Sequence, residues 1–207
     1  MIVIGGGGHA KVIISLLQRL NKYRIVGYTD INDKGAILGI PYLGDDSILQ
    51  KLKKENKINF VALGIGYVES TLKRDETIKR ILKLGFVFPS IVSKDSVVAN
   101  DVIIDEGTVV MNGAVINSGT RIGSFSIINT KASVDHDCKI GDSVHVSPGA
   151  TICGNVTVGN QSNIGAGAVI IQNKFIASQC IIGAGSVVIE NCVECGTYIG
   201  VPARKKK

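Results

Sequence analysis

The chain has no tryptophan, only 5% aromatic residues and just three histidines. It lacks an apolar run long enough to span a bilayer, and no basic, apolar, small-residue leader opens it. Membrane insertion and secretion are therefore not expected, and a cytoplasmic location is. The net charge of +6 is spread along the chain and ends in Arg204, Lys205, Lys206 and Lys207. Nucleic-acid surfaces interleave such charge with aromatics that stack on bases; this chain does not, so no nucleic-acid partner is expected. A solvated tail or an anionic small molecule accounts for the basic excess. The five cysteines are odd in number, and the single C-x-x-C at Cys192 and Cys195 has no second pair to complete a four-ligand zinc site. No metal is expected.

What the chain does have is a period of six. From Val92 to Val188 every sixth residue is Ile or Val, through Val110, Ile128, Val146, Ile164 and Ile182, with no insertion. Two residues before each stands a second column, mostly small, running through Thr108, Ala114, Ala132, Cys138, Ala150, Ala168, Cys180 and Ser186. A short fixed period identifies a solenoid, because one hexapeptide supplies a strand and a turn whose apolar side chain is buried only by stacking. β-branched residues suit a pleated surface packed on one side, and the small column lets the chain turn a tight corner. The architecture is a parallel β-helix. Three hexapeptides close one triangular coil, giving about five coils that rise roughly 25 Å at an inter-strand spacing of about 4.8 Å. The spacing does not set its hand; the usual crossover rule favours a right-handed path. Cys138, Cys180 and Cys192 fall in the small column and read as core filler. Lys174 is that column's one large member, and a bulge that lets its ammonium reach solvent is expected there.

Residues 1–88 are built differently. Met1-Ile2-Val3-Ile4 feeds into Gly5-Gly6-Gly7-Gly8-His9-Ala10, after which Val12, Ile13, Leu16, Leu17 and Leu20 recur at helical spacing. A second strand covers about Arg24 to Tyr28 and ends at Asp30. Helices are expected near Ser47–Glu55 and Glu69–Leu84, with a strand at Asn59–Leu63 between them. The alternation predicts a small parallel α/β sheet. Gly5, Gly7 and Ala10 satisfy the relaxed G-x-G-x-x-G/A spacing, which aims N–H groups at a phosphate, and Asp30 is placed to accept from ribose or a base edge. So short a domain holds one mononucleotide half and excludes a dehydrogenase. The alternative is that the glycines only make a tight turn.

Two of the histidines, His136 and His145, lie in the solenoid. His136 stands between Asp135 and Asp137, two places past the inward Val134, on a corner with its ring outward. An imidazole beside a carboxylate serves as a general base near neutral pH; the alternative is a solvated turn histidine. His145 follows half a coil later, so the two rings meet only between subunits. Packing of copies side by side would open a cleft lined by Ser147 to Asn155.

Asn129-Thr130-Lys131-Ala132-Ser133-Val134-Asp135-His136-Asp137-Cys138, Gly154-Asn155-Val156-Thr157-Val158-Gly159 and Gly200-Val201-Pro202-Ala203 resemble the bacterial hexapeptide-repeat sugar acetyltransferases. The resemblance extends over the whole chain, including the glycine turn, Asp30 and Ala62-Leu63-Gly64. It points to the branch of sialic acid O-acetyltransferases and nucleotide-linked 4-amino-sugar N-acetyltransferases. It implies a Rossmann-like mononucleotide-binding domain at 1–88 and a left-handed β-helix at 89–207. It also implies a homotrimer, with acetyl-CoA bound between neighbouring solenoids. The nucleotide sugar would lie against Gly5, Gly7, Gly8, His9, Asp30 and Gly64. His136 matches the general base, with Asp137 or Asp135 as its acidic partner. In that family the partner is often Glu, and two flanking aspartates leave open which one orients the ring. His145 matches a residue near the acetyl thioester, and Gly154, Gly165 and Ala166 match the pantetheine channel. Lys174 and Arg204 are candidates for CoA phosphates. Two other classes fit trimeric solenoids: a zinc hydrase, for which two solenoid histidines are few, and a non-catalytic nucleotide-sugar-binding protein.

Overall fold

Strand β1 (Ile2–Ile4) is buried along its length, as an apolar run in the middle of a parallel sheet must be. The computed structural model describes residues 1–56, 58–67 and 72–206, with the backbone alone at residue 56. The chain divides into two units, Met1–Pro89 and Ser90–Lys207. In the first, β1 pairs in parallel with β2 (Gly27–Thr29) on one side and β3 (Val61–Leu63) on the other. Helix α1 (Gly8–Leu20) buries Ala10, Ile13, Ile14, Leu16 and Leu17, the stripe its periodicity predicts. It ends at Asn21, whose left-handed backbone (φ 50°) lets its N–H donate to Leu17 O at 3.1 Å. A 3-10 turn, Asp46–Ile48, leads into α2 (Leu49–Asn56) and is capped by Asp45, whose carboxylate accepts from Ser47 N–H at 2.8 Å. Helix α3 is Leu72–Lys83; the expected start at Glu69 lies outside the described residues. Among those residues no helix is long and apolar enough to cross a membrane.

The second unit is a parallel β-helix with three faces. One carries Ile91–Val92, Val109–Val110, Ile127–Ile128, His145–Val146, Asn163–Ile164, Cys180–Ile182 and Gly196–Ile199, closed by the antiparallel Arg204–Lys205. The second runs from Val97–Val98 through Ser133–Val134 to Val187–Val188, and the third from Ile103–Ile104 to Phe175–Ile176. The stack thus exceeds the five coils expected, because Gly196–Ile199 pairs onto Cys180–Ile182 and adds to its C-terminal end. Val110, Ile128, Val146, Ile164 and Ile182 face inward and are fully buried, each worth about 1.5–3 kcal/mol of apolar burial.

The small column is buried too, and where it carries hydroxyls they are satisfied by the coils. Thr120 Oγ1 donates to Asp135 O at 2.7 Å and accepts from Cys138 N–H at 3.1 Å; Ser126 does the same for Gly141 O and Val144 N–H. Cys138, Cys180 and Cys192 are buried there, and burial pushes the Cys192 thiol up to about 11, so it packs as a neutral side chain.

Lys174 does not bulge. Thr157 pairs with Phe175 and Val158 with Ile176 in the same register as the coils before, and Asn173 holds the turn with φ 60°. A half-buried lysine is accommodated at an ordinary corner because its stem can pack while the ammonium runs outward.

Candidate active site

The glycine turn of the first unit has two halves with different duties. Gly5 has φ 100° and donates its N–H to Thr29 O, and a Cβ at Gly6 would lie 2.6 Å from the Tyr28 ring. These two glycines serve close packing. Gly7 and Gly8 have nothing within 4 Å of where a Cβ would stand, and they open α1 with no side-chain cap. At this open, uncapped helix start their amides are the ones an anion could approach. Asp30 is less available than the sequence suggested: Oδ2 accepts from Gly6 N–H at 2.7 Å and Oδ1 from Asn32 N–H at 3.0 Å, so it first closes the turn. Gly64 lets α1 approach β3, since a Cβ there would be 2.7 Å from Ala10 Cβ; a Cβ at Gly66 would touch the His9 ring.

A cavity of about 400 Å³ opens at the carboxyl ends of β1 and β2, bordered by Gly5, Thr29, Asp30, Asp45, Asp46 and Arg80. This is where open α/β sheets place ligands. Thr29 donates through its hydroxyl to Asp46, and Asp46 pairs with Arg80 across the pocket wall. The acidic pair at Asp45 and Asp46 and the guanidinium of Arg80 were not singled out from the sequence.

In the solenoid, His136 sits in the corner between Ser133–Val134 and Lys139–Ile140, with 59% of its side chain exposed. Its Nδ1 lies 2.8 Å from Asp137 Oδ2. Asp135 takes a different part. Its Oδ1 accepts from the His136 main-chain N–H at 2.8 Å and from Asn117 Nδ2 at 2.7 Å. The two flanks are therefore distinct: Asp137 orients the ring and Asp135 holds its backbone. The bond to Asp137 raises the imidazole above its ordinary range, with the charges of Asp135 and Asp137 adding to it and desolvation opposing. With Nδ1 engaged, Nε2 is the nitrogen left to take a proton.

The ring of His136 lies against Gly154 of the next coil, where a Cβ would stand 2.5 Å from Nε2. The N–H groups on either side of Gly154 are committed, Cys153 to Ile170 O and Asn155 to His136 O. Neither is left to meet an oxyanion. Gly165 has a packing role, since a Cβ would fall 2.5 Å from Ala184 N.

His145 lies on a strand of another face and is 8% exposed, so it is apart from His136, as half a coil requires. Its Nε2 is 3.0 Å from Asn129 Nδ2. Asn129 Oδ1 accepts from Thr130 N–H at 2.7 Å, which turns the amide nitrogen toward the ring. Nε2 is thereby an acceptor, and a neutral His145 carries its proton on Nδ1. At the tail, Arg204 pairs with Glu190 at 3.2 Å and Lys205 with Glu194 at 2.6 Å, so Arg204 meets a CoA phosphate only in competition with Glu190. Among the described residues no cluster of three or more His, Cys, Asp or Glu could hold a metal ion.

Residues 1–73 match the PglD N-terminal domain, and residues 137–172 match the bacterial transferase hexapeptide with six repeats. No curated protein matches the chain by sequence. Among solved structures, the perosamine N-acetyltransferase PerB from Caulobacter crescentus, in complex with CoA and GDP-perosamine, is 35% identical. The alignment covers 100% of this chain and 96% of that one, with a TM-score of 0.92. The acetyltransferase domain of PglB from Neisseria gonorrhoeae, in complex with acetyl coenzyme A, is 33% identical over 99% of this chain and 98% of that one, with a TM-score of 0.91. WeeI from Acinetobacter baumannii is 27% identical, with 99% and 98% covered and a TM-score of 0.87. An α/β domain of the PglD type, a hexapeptide β-helix and full-length likeness to these enzymes place the chain in the hexapeptide-repeat sugar acetyltransferase family, as an acyltransferase.

Proposed function

We propose that the chain transfers acetyl from acetyl-CoA to the amino group of a nucleotide-linked 4-amino deoxysugar, in the cytoplasm, as a step in surface-glycan assembly. Residues 1–88 hold the nucleotide, with the amides of Gly7 and Gly8 facing the phosphates and the cavity beside Asp30 taking the nucleoside. Residues 89–207 carry the transfer chemistry. The observation that carries the reading is the His136–Asp137 pair, 2.8 Å apart on an exposed corner, with Nε2 turned away from the carboxylate.

The chemistry is a direct transfer in a ternary complex. The amine nitrogen attacks the thioester carbonyl carbon while His136 Nε2 takes a proton from it, and Asp137 stabilises the imidazolium that forms. The C–S bond then breaks, and the CoA sulfur leaves as a thiolate that recovers the proton from His136. No covalent bond to the protein forms. Holding amine and carbonyl carbon in contact supplies much of the rate. Three copies stand side by side as a homotrimer, with His136 of one facing the thioester held beside His145 of the next. Lys174 reaches the phosphates of CoA, whose pantetheine runs past Ala166.

PerB supports an amino-sugar acceptor linked to a nucleotide, and the complex of the PglB domain supports acetyl-CoA as donor. The test is a panel of UDP-, GDP- and dTDP-linked 4-amino sugars with a free sialic acid, scored by acetyl-CoA-dependent thiol release and by the site of acetylation. Amide formation on one or more of the nucleotide sugars is expected. Ester formation on the sialic acid, or binding without thiol release, would replace this reading with O-transfer or with a non-catalytic binder.

A further inference from the structure

The His136–Asp137 pair occupies a slot made by missing side chains on the coils before and after it. A Cβ at Gly154 would stand 2.5 Å from His136 Nε2, 2.6 Å from Cε1 and 3.1 Å from Cδ2. A Cβ at Gly119 would stand 2.5 Å from Asp137 Oδ1. Several corner glycines are confined by main chain: Gly141 faces the main chain and side chain of Asn160, Gly159 that of Ser178 and Gly165 the Ala184 nitrogen, while Gly107 meets only the Phe125 ring. At Gly154 the obstacles nearest a Cβ belong to the His136 side chain alone, and at Gly119 the two nearest belong to the Asp137 carboxyl.

Gly119 is itself pinned. Its N–H donates to Asp101 Oδ2 at 2.8 Å, the Ser118 hydroxyl donates to the same oxygen at 2.8 Å, and Ser118 O accepts from Asp137 N–H at 3.0 Å. On the other side, His136 O accepts from Asn155 N–H at 2.9 Å, and Gly154 O accepts from Asn173 N–H. The floor and roof of the slot are therefore fixed by ladder bonds, whereas the two side chains between them are free to be displaced.

We propose that Gly154 and Gly119 are positioning residues for the transfer reaction. Gly154 leaves the space in which Nε2 meets the substrate amine, and Gly119 leaves the space that keeps the Asp137 carboxylate on Nδ1. The proposal rests on His136 being the base, and it gives Gly154 a role other than lining the pantetheine channel.

Gly154→Ala introduces no left-handed strain and displaces only an exposed ring, so its melting temperature should match wild type. Its kcat should fall about 100-fold, the cost of moving a reacting group by about 1 Å, with KM for acetyl-CoA unchanged. In a His136→Ala background the same substitution should have no further effect, because the residue acts through the ring. Gly119→Ala should move the acid limb of the kcat/KM profile to lower pH. Gly113→Ala is the control: φ at Gly113 is 70° against 75° at Gly119, and a Cβ there meets only Lys131. It carries the same backbone strain and should leave kcat and the acid limb where they are. The proposal is overturned if Gly154→Ala keeps kcat and raises KM for acetyl-CoA, if it unfolds the protein, if it lowers activity further without His136, or if Gly119→Ala leaves the acid limb in place. Retained activity in His136→Ala alone would sink the reading of the base, a result separate from all of these.

Discussion

Asp135 and Asp137 flank the same histidine and do different things to it. Asp137 meets Nδ1 and raises the affinity of the ring for a proton; Asp135 bonds the main chain and is itself held down by Asn117 and the His136 N–H. A general base works in its unprotonated form, so activity rises with pH through the His136 titration. Because Asp137 raises that titration, Asp137→Asn should shift the acid limb of kcat/KM to lower pH and reduce kcat, the ring having lost both its orientation and the charge that stabilises the imidazolium. A pH–rate profile of wild type and variant checks this, and an unshifted limb would mean that the carboxylate does not act on the ring. The sequence showed that an acidic neighbour was available, but two identical flanks gave no ground for choosing. The choice is made by the left-handed backbone at Asp137 (φ 59°), which turns its side chain back toward the preceding coil and the ring.

At the scale of the element, one hexapeptide is a strand of two residues and a corner, and no element is stable by itself. Ile122 is fully buried, and Ile122→Ala should destabilise the protein by about 2–5 kcal/mol, read by denaturant unfolding, because the stacked coils cannot collapse onto the cavity. The inward column and the small column were legible because each is chemically uniform. A third was not: every sixth residue from Gly107 to Gly185 has positive φ. Glycine fills only part of it, and Phe125, Lys131, Ser143 and Gln161 fill other positions, so composition hides a periodicity that the backbone obeys. Asn117 and Asp101 were missed for a related reason. Each lies about one coil before the residue it holds, a separation of 18 from Asp135 and from Gly119, and local motifs do not look that far. Lys174 was misjudged in the other direction, because a long side chain in a small column needs no bulge if its stem packs at the corner. In the first unit the strands and helices followed from periodicity, but the wall of Thr29, Asp46 and Arg80 comes from segments far apart in sequence.

At the scale of the whole molecule, His136 and His145 lie on different faces, so a site that used both would need a second copy. If each reaction site draws one histidine from each of two neighbours, mixing chains carrying His136→Ala with chains carrying His145→Ala should restore sites that are wild type at both positions. Random assembly gives up to about a quarter of the wild-type number. Co-expression of the two variants, followed by assay of the mixed assembly, measures it. No recovery above either parent would place both residues in one subunit's site, or one of them outside it.

The central claim is that the imidazole of His136 takes the proton as the acetyl group moves. Its most direct test is the single-turnover rate of acetyl transfer to the preferred nucleotide-linked 4-amino sugar, measured for wild type and for His136→Ala with folding and assembly verified. The account predicts a fall of about 10²–10⁴-fold in the variant, the usual contribution of a positioned general base. A folded His136→Ala protein that transfers acetyl at the wild-type rate would contradict it.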